Sequence, residues 1–94
     1  MNTILKIGTS SCPPCQRLKP IYNELKEEYT GKINFLEVND ENENMFILFE
    51  KYSRKFNVRS VPTVIIMDSE ENELERIVGL NSEELYRKTI EKYI

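Results

Sequence analysis

Short apolar runs alternate along this chain with longer stretches in which apolar residues recur every three or four positions. The short runs lie over residues 4–7, 33–38 and 64–67, and each ends at glycine or polar residues. Runs of this length that are rich in isoleucine and valine are typical of buried strands. Because the run 64–67 has no polar face, it predicts a central strand, and the less regular stretch 73–78 predicts an antiparallel edge partner.

Two stretches with helical spacing follow the first two predicted strands. The first runs from Pro14, which suits a first helical turn, to a stop at Gly31. Its apolar positions are Leu18, Ile21, Tyr22, Leu25 and Tyr29. The second follows a polar, acidic link over 39–44. One face of this second helix carries Met45, Phe49, Tyr52 and Phe56.

A third helix is predicted near the C-terminus. Gly79 ends the last strand, and Asn81 with Glu84 three residues later has the pattern of a capping box. The residues expected to cover the sheet are Leu85, Ile90, Tyr93 and Ile94. The element order is then β-α-β-α-β-β-α, with the first two strands parallel and joined by a crossover helix. We predict a single α/β domain over residues 1–94, with a four-stranded mixed sheet flanked by three helices.

Composition narrows the class of protein. The 94 residues carry a net charge of −3 with acids and bases interspersed, unlike the basic stripe of a nucleic-acid binder. No window is long and apolar enough to span a membrane, and the N-terminus lacks the pattern of a secretory leader. We therefore expect a cytoplasmic protein with no nucleic-acid or membrane partner.

The only two cysteines lie three residues apart, as Cys12-Pro13-Pro14-Cys15, directly after the first predicted strand. Residues i and i+3 are one helical turn apart, so the two sulfur atoms can meet without a backbone rearrangement. A helix N-terminus stabilises an anion through its free N–H groups, which favours the thiolate of Cys12. The motif therefore predicts a redox-active dithiol.

Other roles fit this cysteine pair less well. A structural zinc site needs four Cys or His ligands, and a chain without histidine or a third cysteine would have to share the site with a second chain. A structural disulfide that closes so short a loop restricts the unfolded chain little, and cytosolic thiols stay reduced. We expect no bound metal and no cofactor.

Together with residues farther along, this motif resembles the thioredoxin superfamily from Ile4 to the C-terminus. The matching features are Cys12-Pro13-Pro14-Cys15, Pro20, Val58, Val61-Pro62-Thr63 ahead of an apolar strand, and Gly79 before the last helix. The resemblance implies a minimal thioredoxin-like fold that lacks the usual extra N-terminal strand and helix, as in the shorter glutaredoxin-like core. It also implies dithiol–disulfide exchange as the reaction.

The resemblance implies a role for each matching residue. Cys12 is expected to be the attacking thiolate, and Cys15 the thiol that resolves the mixed disulfide. Pro62 is expected to follow a cis peptide bond and to face the dithiol, while the Val61 backbone offers substrate a short β-type edge. Two further residues are expected on the substrate-binding surface, Pro13 and Gly79.

The chain departs from the family beside the dithiol. Thioredoxins usually bury an aspartate six residues before the first cysteine, where it helps to take the proton of the second, whereas this chain has Lys6. Glu37 lies near where the family often has lysine. Lys6 and Glu37 are therefore candidates for proton transfer if Lys6 points inward, but a lysine on an alternating strand fits the solvent face equally well. Ser11 replaces the usual tryptophan before the first cysteine, which leaves substrate preference open.

Phe46 and Ile47 lie off the main apolar stripe of the second helix, which with its acidic link is longer than the family usually has. We expect both side chains to pack against a neighbouring loop. If they are exposed instead, they indicate a partner surface.

The sequence predicts a monomeric thiol–disulfide oxidoreductase that reduces disulfides in protein substrates. A thioredoxin reductase-like enzyme or glutathione is expected to supply the electrons. A second hypothesis is a glutaredoxin-like, glutathione-dependent reductase, although Gly79-Leu80 stands where that group has a Gly-Gly pair. A third is a protein-binding module whose dithiol is not essential. A cysteine-free variant separates the third hypothesis from the other two.

Overall fold

The computed structural model describes all residues from Met1 to Ile94. Seven elements follow one another as β1 (Thr3–Ile7), α1 (Pro13–Glu28), β2 (Asn34–Val38), α2 (Glu43–Lys55), β3 (Thr63–Met67), β4 (Glu73–Val78) and α3 (Glu83–Glu91). The predicted order β-α-β-α-β-β-α is confirmed. None of the three helices combines the length and the apolar character needed to cross a membrane.

The four strands form one mixed sheet in the order β2-β1-β3-β4. β1 and β2 are parallel, whereas β3 runs antiparallel to both β1 and β4. As predicted, β3 is internal and β4 is an edge strand. Because β1 and β2 are parallel, their carboxyl ends meet at one edge of the sheet, and the cysteine motif begins at that edge.

Alternate residues of the two central strands point into two separate cores. On one face, Ile4 and Val64 belong to a buried cluster with residues of α1 and α3. On the other face, Leu5 and Ile65 belong to a smaller cluster that α2 covers, mainly with Tyr52. Since both faces of β1 and β3 are buried, these strands read as continuous apolar runs interrupted only at Lys6.

Tyr22 ties α1 to the sheet. Its hydroxyl lies 2.9 Å from the Ile4 carbonyl oxygen of β1 and 2.7 Å from the Leu36 carbonyl oxygen of β2. Burial, and then the nearby Glu37 carboxylate, raises the pKa of the Tyr22 hydroxyl well above its ordinary value, so it remains a hydrogen-bond donor. α1 is thereby held over the strand that leads into the cysteine motif.

The start of α3 differs from the prediction by one residue. Ser82 rather than Asn81 is the N-cap, and its hydroxyl oxygen accepts a hydrogen bond from the Leu85 N–H at 3.2 Å. The Asn81 side-chain amide instead donates to the carbonyl oxygens of Val78 and Gly79. Asn and Ser are both favourable N-cap residues. Ser82 caps α3 here because the Asn81 side chain already bonds to the turn before the helix.

Two residues expected to cover the sheet from α3 do not do so. Leu85 is 40% exposed, because a helix that begins after Ser82 turns Tyr86 and Ile90 toward the core instead. Ile94 is 47% exposed, because the helix ends at Glu91.

Phe46 and Ile47 are also exposed, at 44% and 65%, and the expectation that both pack against a neighbouring loop was wrong. Tyr52 of α2 and the C-cap residue Phe56 face the sheet, which leaves Phe46 and Ile47 on the outer side of the helix. The link before α2 contacts the cysteine loop instead, through Asp40.

Candidate active site

The two cysteines lie at the N-terminus of α1 and are joined by a disulfide bond. Cys12 is the N-cap residue, in an extended conformation, and its sulfur accepts a hydrogen bond from the Cys15 N–H at 3.1 Å. Cys15 sits one turn on and is 8% exposed, whereas Cys12 is only half-buried. Of the two sulfurs, that of Cys12 is therefore the one presented to solvent.

The two prolines limit the donors around Cys12. Pro13 and Pro14 occupy the first two helical positions, where neither has an N–H. The Cys15 amide is consequently the first free donor of the helix, and it is the one that reaches the Cys12 sulfur. Pro13 itself is exposed next to the dithiol.

Val61 lies against Cys12 from the start of β3. Its carbonyl oxygen is 3.8 Å from the Cys12 sulfur, and the peptide bond between Val61 and Pro62 is cis. The Val61 N–H and carbonyl take part in no backbone hydrogen bond within the chain. This short edge is therefore free to pair with an extended peptide.

Gly79 closes the other side of this turn. Its N–H donates to the Pro62 carbonyl oxygen at 2.8 Å, and its φ of +83° lies in the left-handed region that favours glycine. The structure thus brings Cys12 against Val61, and Gly79 against Pro62.

Lys6 points inward, which settles the two orientations that the sequence left open. It is 7% exposed, and its ammonium lies 2.8 Å from Glu37 Oε2 and 4.9 Å from the centre of the Tyr22 ring. The parallel register of β1 and β2 makes Lys6 and Glu37 direct partners. The Glu37 side chain is 42% exposed, so its carboxylate contacts solvent, whereas the Lys6 side chain is almost entirely buried.

A polar cavity of about 110 Å³ connects this ion pair to the second cysteine. Lys6, Glu37, Gly8 and Cys15 all line it. A Cβ atom on Gly8 would lie 3.2 Å from the Cys15 sulfur, so the glycine is what leaves room there. The sequence pattern indicated Gly8 only as the end of a strand, although a glycine four residues before the first cysteine was the available signal.

Asp40 organises the loop before the dithiol, a role that its position in a polar, acidic link did not indicate. Asp40 Oδ1 accepts from the Ser10 N–H at 2.8 Å, and the Gln16 side-chain amide donates to the Ser10 carbonyl oxygen at 2.9 Å. The Ser10 N–H lowers the pKa of the Asp40 carboxyl below its ordinary value. No group of three or more His, Cys, Asp or Glu side chains is arranged to hold a metal ion.

The chain is similar in sequence to known proteins over most of its length. The family model described as Thioredoxin matches residues 2–92. The Thioredoxin of Staphylococcus saprophyticus is 33% identical over 84 residues, which cover 88% of this chain and 73% of that protein. Thioredoxin M4, chloroplastic, of Arabidopsis thaliana is 34% identical over 84 residues. The match covers 88% of this chain but spans only 39% of the length of that relative.

Solved structures share the fold. A thioredoxin of Plasmodium falciparum superposes with a TM-score of 0.79 at 26% identity, over 99% of this chain and 82% of its own. The thioredoxin NaTrxh of Nicotiana alata superposes with a TM-score of 0.77 at 22% identity, over 96% of this chain and 71% of its own. The predicted thioredoxin-like α/β fold, with four strands and three helices, is confirmed.

Proposed function

The chain belongs to the thioredoxin family, and from that membership we propose that it is a thiol–disulfide oxidoreductase that reduces disulfides in protein substrates. The observation that carries this proposal is the dithiol at the N-terminus of α1, with Cys12 half-buried beside the Val61 backbone, which makes no backbone hydrogen bond. An exposed thiolate next to a free peptide edge is the combination that exchange with a protein disulfide requires.

The reaction runs in two exchange steps. The Cys12 thiolate attacks one sulfur of the substrate disulfide, and the other substrate sulfur leaves as a thiolate. Cys15, as a thiolate, then attacks the Cys12 sulfur of the mixed disulfide and releases the second substrate thiolate. The substrate gains two electrons and, once protonated, two protons, while the chain ends with the Cys12–Cys15 disulfide. Pro13, Val61, Pro62 and Gly79 form the surface along which the substrate lies.

Cys15 must lose its proton before the second step. Its sulfur shares a polar cavity with the Lys6–Glu37 pair, and Glu37 contacts solvent. In our proposal Glu37 accepts the proton, through water in the cavity, and the ammonium of Lys6 holds the carboxylate in position. The proton-accepting carboxylate thus lies on β2, whereas thioredoxins usually carry it at the paired position on β1.

We propose that residues 1–94 act as a single-domain, monomeric protein of the cytoplasm. The oxidised chain is reduced again by a thioredoxin reductase-like enzyme rather than by glutathione, because Gly79-Leu80 lacks the Gly-Gly pair of glutaredoxins. To test the donor, the oxidised protein is incubated separately with a thioredoxin reductase plus its nicotinamide donor and with glutathione. Faster reduction by glutathione would contradict this assignment.

Trapping tests the reaction itself. We expect the Cys15→Ser variant to accumulate mixed disulfides with protein substrates, because Cys12 attacks but nothing resolves the product. The Cys12→Ser variant should trap none, and iodoacetamide should label Cys12 before Cys15 in the reduced protein at mildly acidic pH. Preferential labelling of Cys15, or equal trapping by both variants, would overturn the assignment. Biological activity retained by a cysteine-free variant would instead favour a binding module.

A further inference from the structure

The outer side of α2 presents apolar surface next to the cysteine loop. Phe46 and Ile47 line a shallow concavity of about 550 Å³ together with Asp40, Asn42 and Glu43. We call these five residues the α2 patch. The Phe46 ring stacks on Phe49 with the ring centres 6.1 Å apart, which supports its outward position. Adjacent exposed aromatic and branched side chains are characteristic of interaction surfaces.

The rim of the α2 patch is acidic. Asp40 and Glu43 contribute carboxylates, and no lysine or arginine lines the concavity. The pKa of Asp40 lies below its ordinary value because the Ser10 N–H donates to it, so this carboxylate is charged at neutral pH. The basic residues of α2 lie toward its other end, at Lys51 and in the last turn. Such a surface is complementary to an apolar side chain flanked by lysine or arginine.

The α2 patch is continuous with the proposed catalytic loop. Asp40 accepts the Ser10 N–H at 2.8 Å, and Ser10 precedes Cys12 by two residues. A protein bound on the patch therefore lies next to the loop that leads into the dithiol.

We propose that the α2 patch docks disulfide-bearing protein substrates that carry an apolar side chain flanked by basic residues near the disulfide. The inference rests on the proposed reductase function and names its substrate class. The α2 patch would provide a second contact besides the Val61 edge. The Val61 edge would pair with the substrate backbone and would not distinguish side-chain charge.

Two synthetic peptides provide the test. Each contains one internal disulfide, with leucine between two lysines beside it in one peptide and between two glutamates in the other. Binding of cysteine-free, fluorescent versions to the oxidised protein is measured by anisotropy, which requires no exchange chemistry. Reduction of the disulfide versions gives kcat and KM, and 2-hydroxyethyl disulfide serves as a neutral substrate too small to reach the patch.

We expect the basic peptide to bind more tightly than the acidic peptide. Its reduction should show a KM that is lower by about threefold to tenfold. Ile47→Ser and Glu43→Gln should each remove most of that advantage, with kcat and the reduction of 2-hydroxyethyl disulfide unchanged. Matched controls are Leu48→Ser, an exposed apolar residue of α2 that does not line the concavity, and Glu24→Gln on α1, across the sheet. High salt, about 0.5 M, should weaken the preference because the contact with the rim is screened.

Equal binding of the two peptides, or no effect of Ile47→Ser and Glu43→Gln, would overturn the docking site. A raised KM for the reductase with unchanged peptide kinetics would also overturn it, since the occupant would then be the electron donor. Failure to reduce 2-hydroxyethyl disulfide would count against the proposed function, while the anisotropy measurement would still report on the patch.

Discussion

A buried lysine beside the second cysteine is the main chemical peculiarity of this chain. An ammonium removed from water needs compensation, which Lys6 receives from Glu37 at 2.8 Å and from the face of the Tyr22 ring at 4.9 Å. The two partners of the ion pair are not equivalent, because Lys6 is 7% exposed and the Glu37 side chain 42%. Removing Glu37 and removing Lys6 should therefore change the free energy of unfolding by different amounts.

We expect Glu37→Gln to destabilise the fold by about 1–3 kcal/mol, since it leaves a buried charge with weaker compensation. Lys6→Met should cost less than about 1 kcal/mol, because it removes the charge and fills the space with an apolar side chain. Both variants should slow the release of the mixed disulfide while alkylation of Cys12 stays unchanged. Urea unfolding and single-turnover reduction measure the two effects, and normal turnover in both variants would leave solvent as the proton acceptor.

Asp40 makes stability depend on pH in the acid range. Its folded-state pKa is lowered by the Ser10 N–H, so its contribution is present above the unfolded value of about 4 and is lost as pH falls through the folded pKa. Asp40→Asn should therefore be less stable than the parent chain at neutral pH, and the difference should shrink on acidification below about pH 4. Denaturant titrations at several pH values, with Glu24→Gln as control, measure this. A difference that does not change with pH would contradict the charge-based contribution.

Among the helices and strands, the N-terminus of α1 has the greatest bearing on the redox chemistry. A helix of this length normally offers several free N–H groups at its start, but Pro13 and Pro14 remove two of them. Cys12 therefore receives one backbone donor, from Cys15. A thiolate with fewer donors is less stabilised relative to the disulfide, which favours a reducing dithiol.

We predict that Pro13→His raises the reduction potential by about 30–60 mV, which corresponds to one added hydrogen bond to a charged group. Pro13→Ala restores the N–H without adding a cation and should raise the potential by a smaller amount. Equilibration with glutathione buffers, followed by quantification of the free thiols, gives both values. An unchanged potential in both variants would show that the missing donors do not control it.

We expect the seven elements to unfold as a single unit, because two cores share one sheet. Neighbouring residues of β1 and β3 point to opposite faces, so Ile4 and Leu5, like Val64 and Ile65, belong to different buried clusters. Neither core can lose its packing without loosening strands that the other needs. Stability is therefore expected to be cooperative across the chain.

Truncation on either side of the sheet tests this coupling. Leu18→Ala in the first cluster and Ile65→Ala in the second should each cost about 2–5 kcal/mol, and Ile65→Val about 0.5–1.5 kcal/mol. Far-UV circular dichroism and tyrosine fluorescence should report the same single transition in every variant. Transitions that separate in Ile65→Ala alone would mean that the face covered by α2 unfolds independently.

The local order of the chain determined the order of strands and helices and the position of the dithiol. Apolar periodicity depends only on neighbouring residues, so the runs 4–7 and 64–67 and the helix from Pro14 were predictable. The same holds for Cys12 at a helix start, because a CxxC spacing with prolines in the first turn requires no distant contact. Family resemblance added the expectation that Val61 and Pro62, which are far from Cys12 in sequence, lie beside the dithiol.

Contacts between distant elements decided the rest. Lys6 alternates with apolar residues on β1, and only the covering helix α1 and the register with Glu37 made its face a buried one. The exposure of Phe46 and Ile47 likewise depended on where the link before α2 packs, since helical spacing alone does not say which loop reaches a helix. Burial and ion pairing depend on contacts between elements that are distant in sequence, whereas periodicity and capping preferences depend only on a short segment.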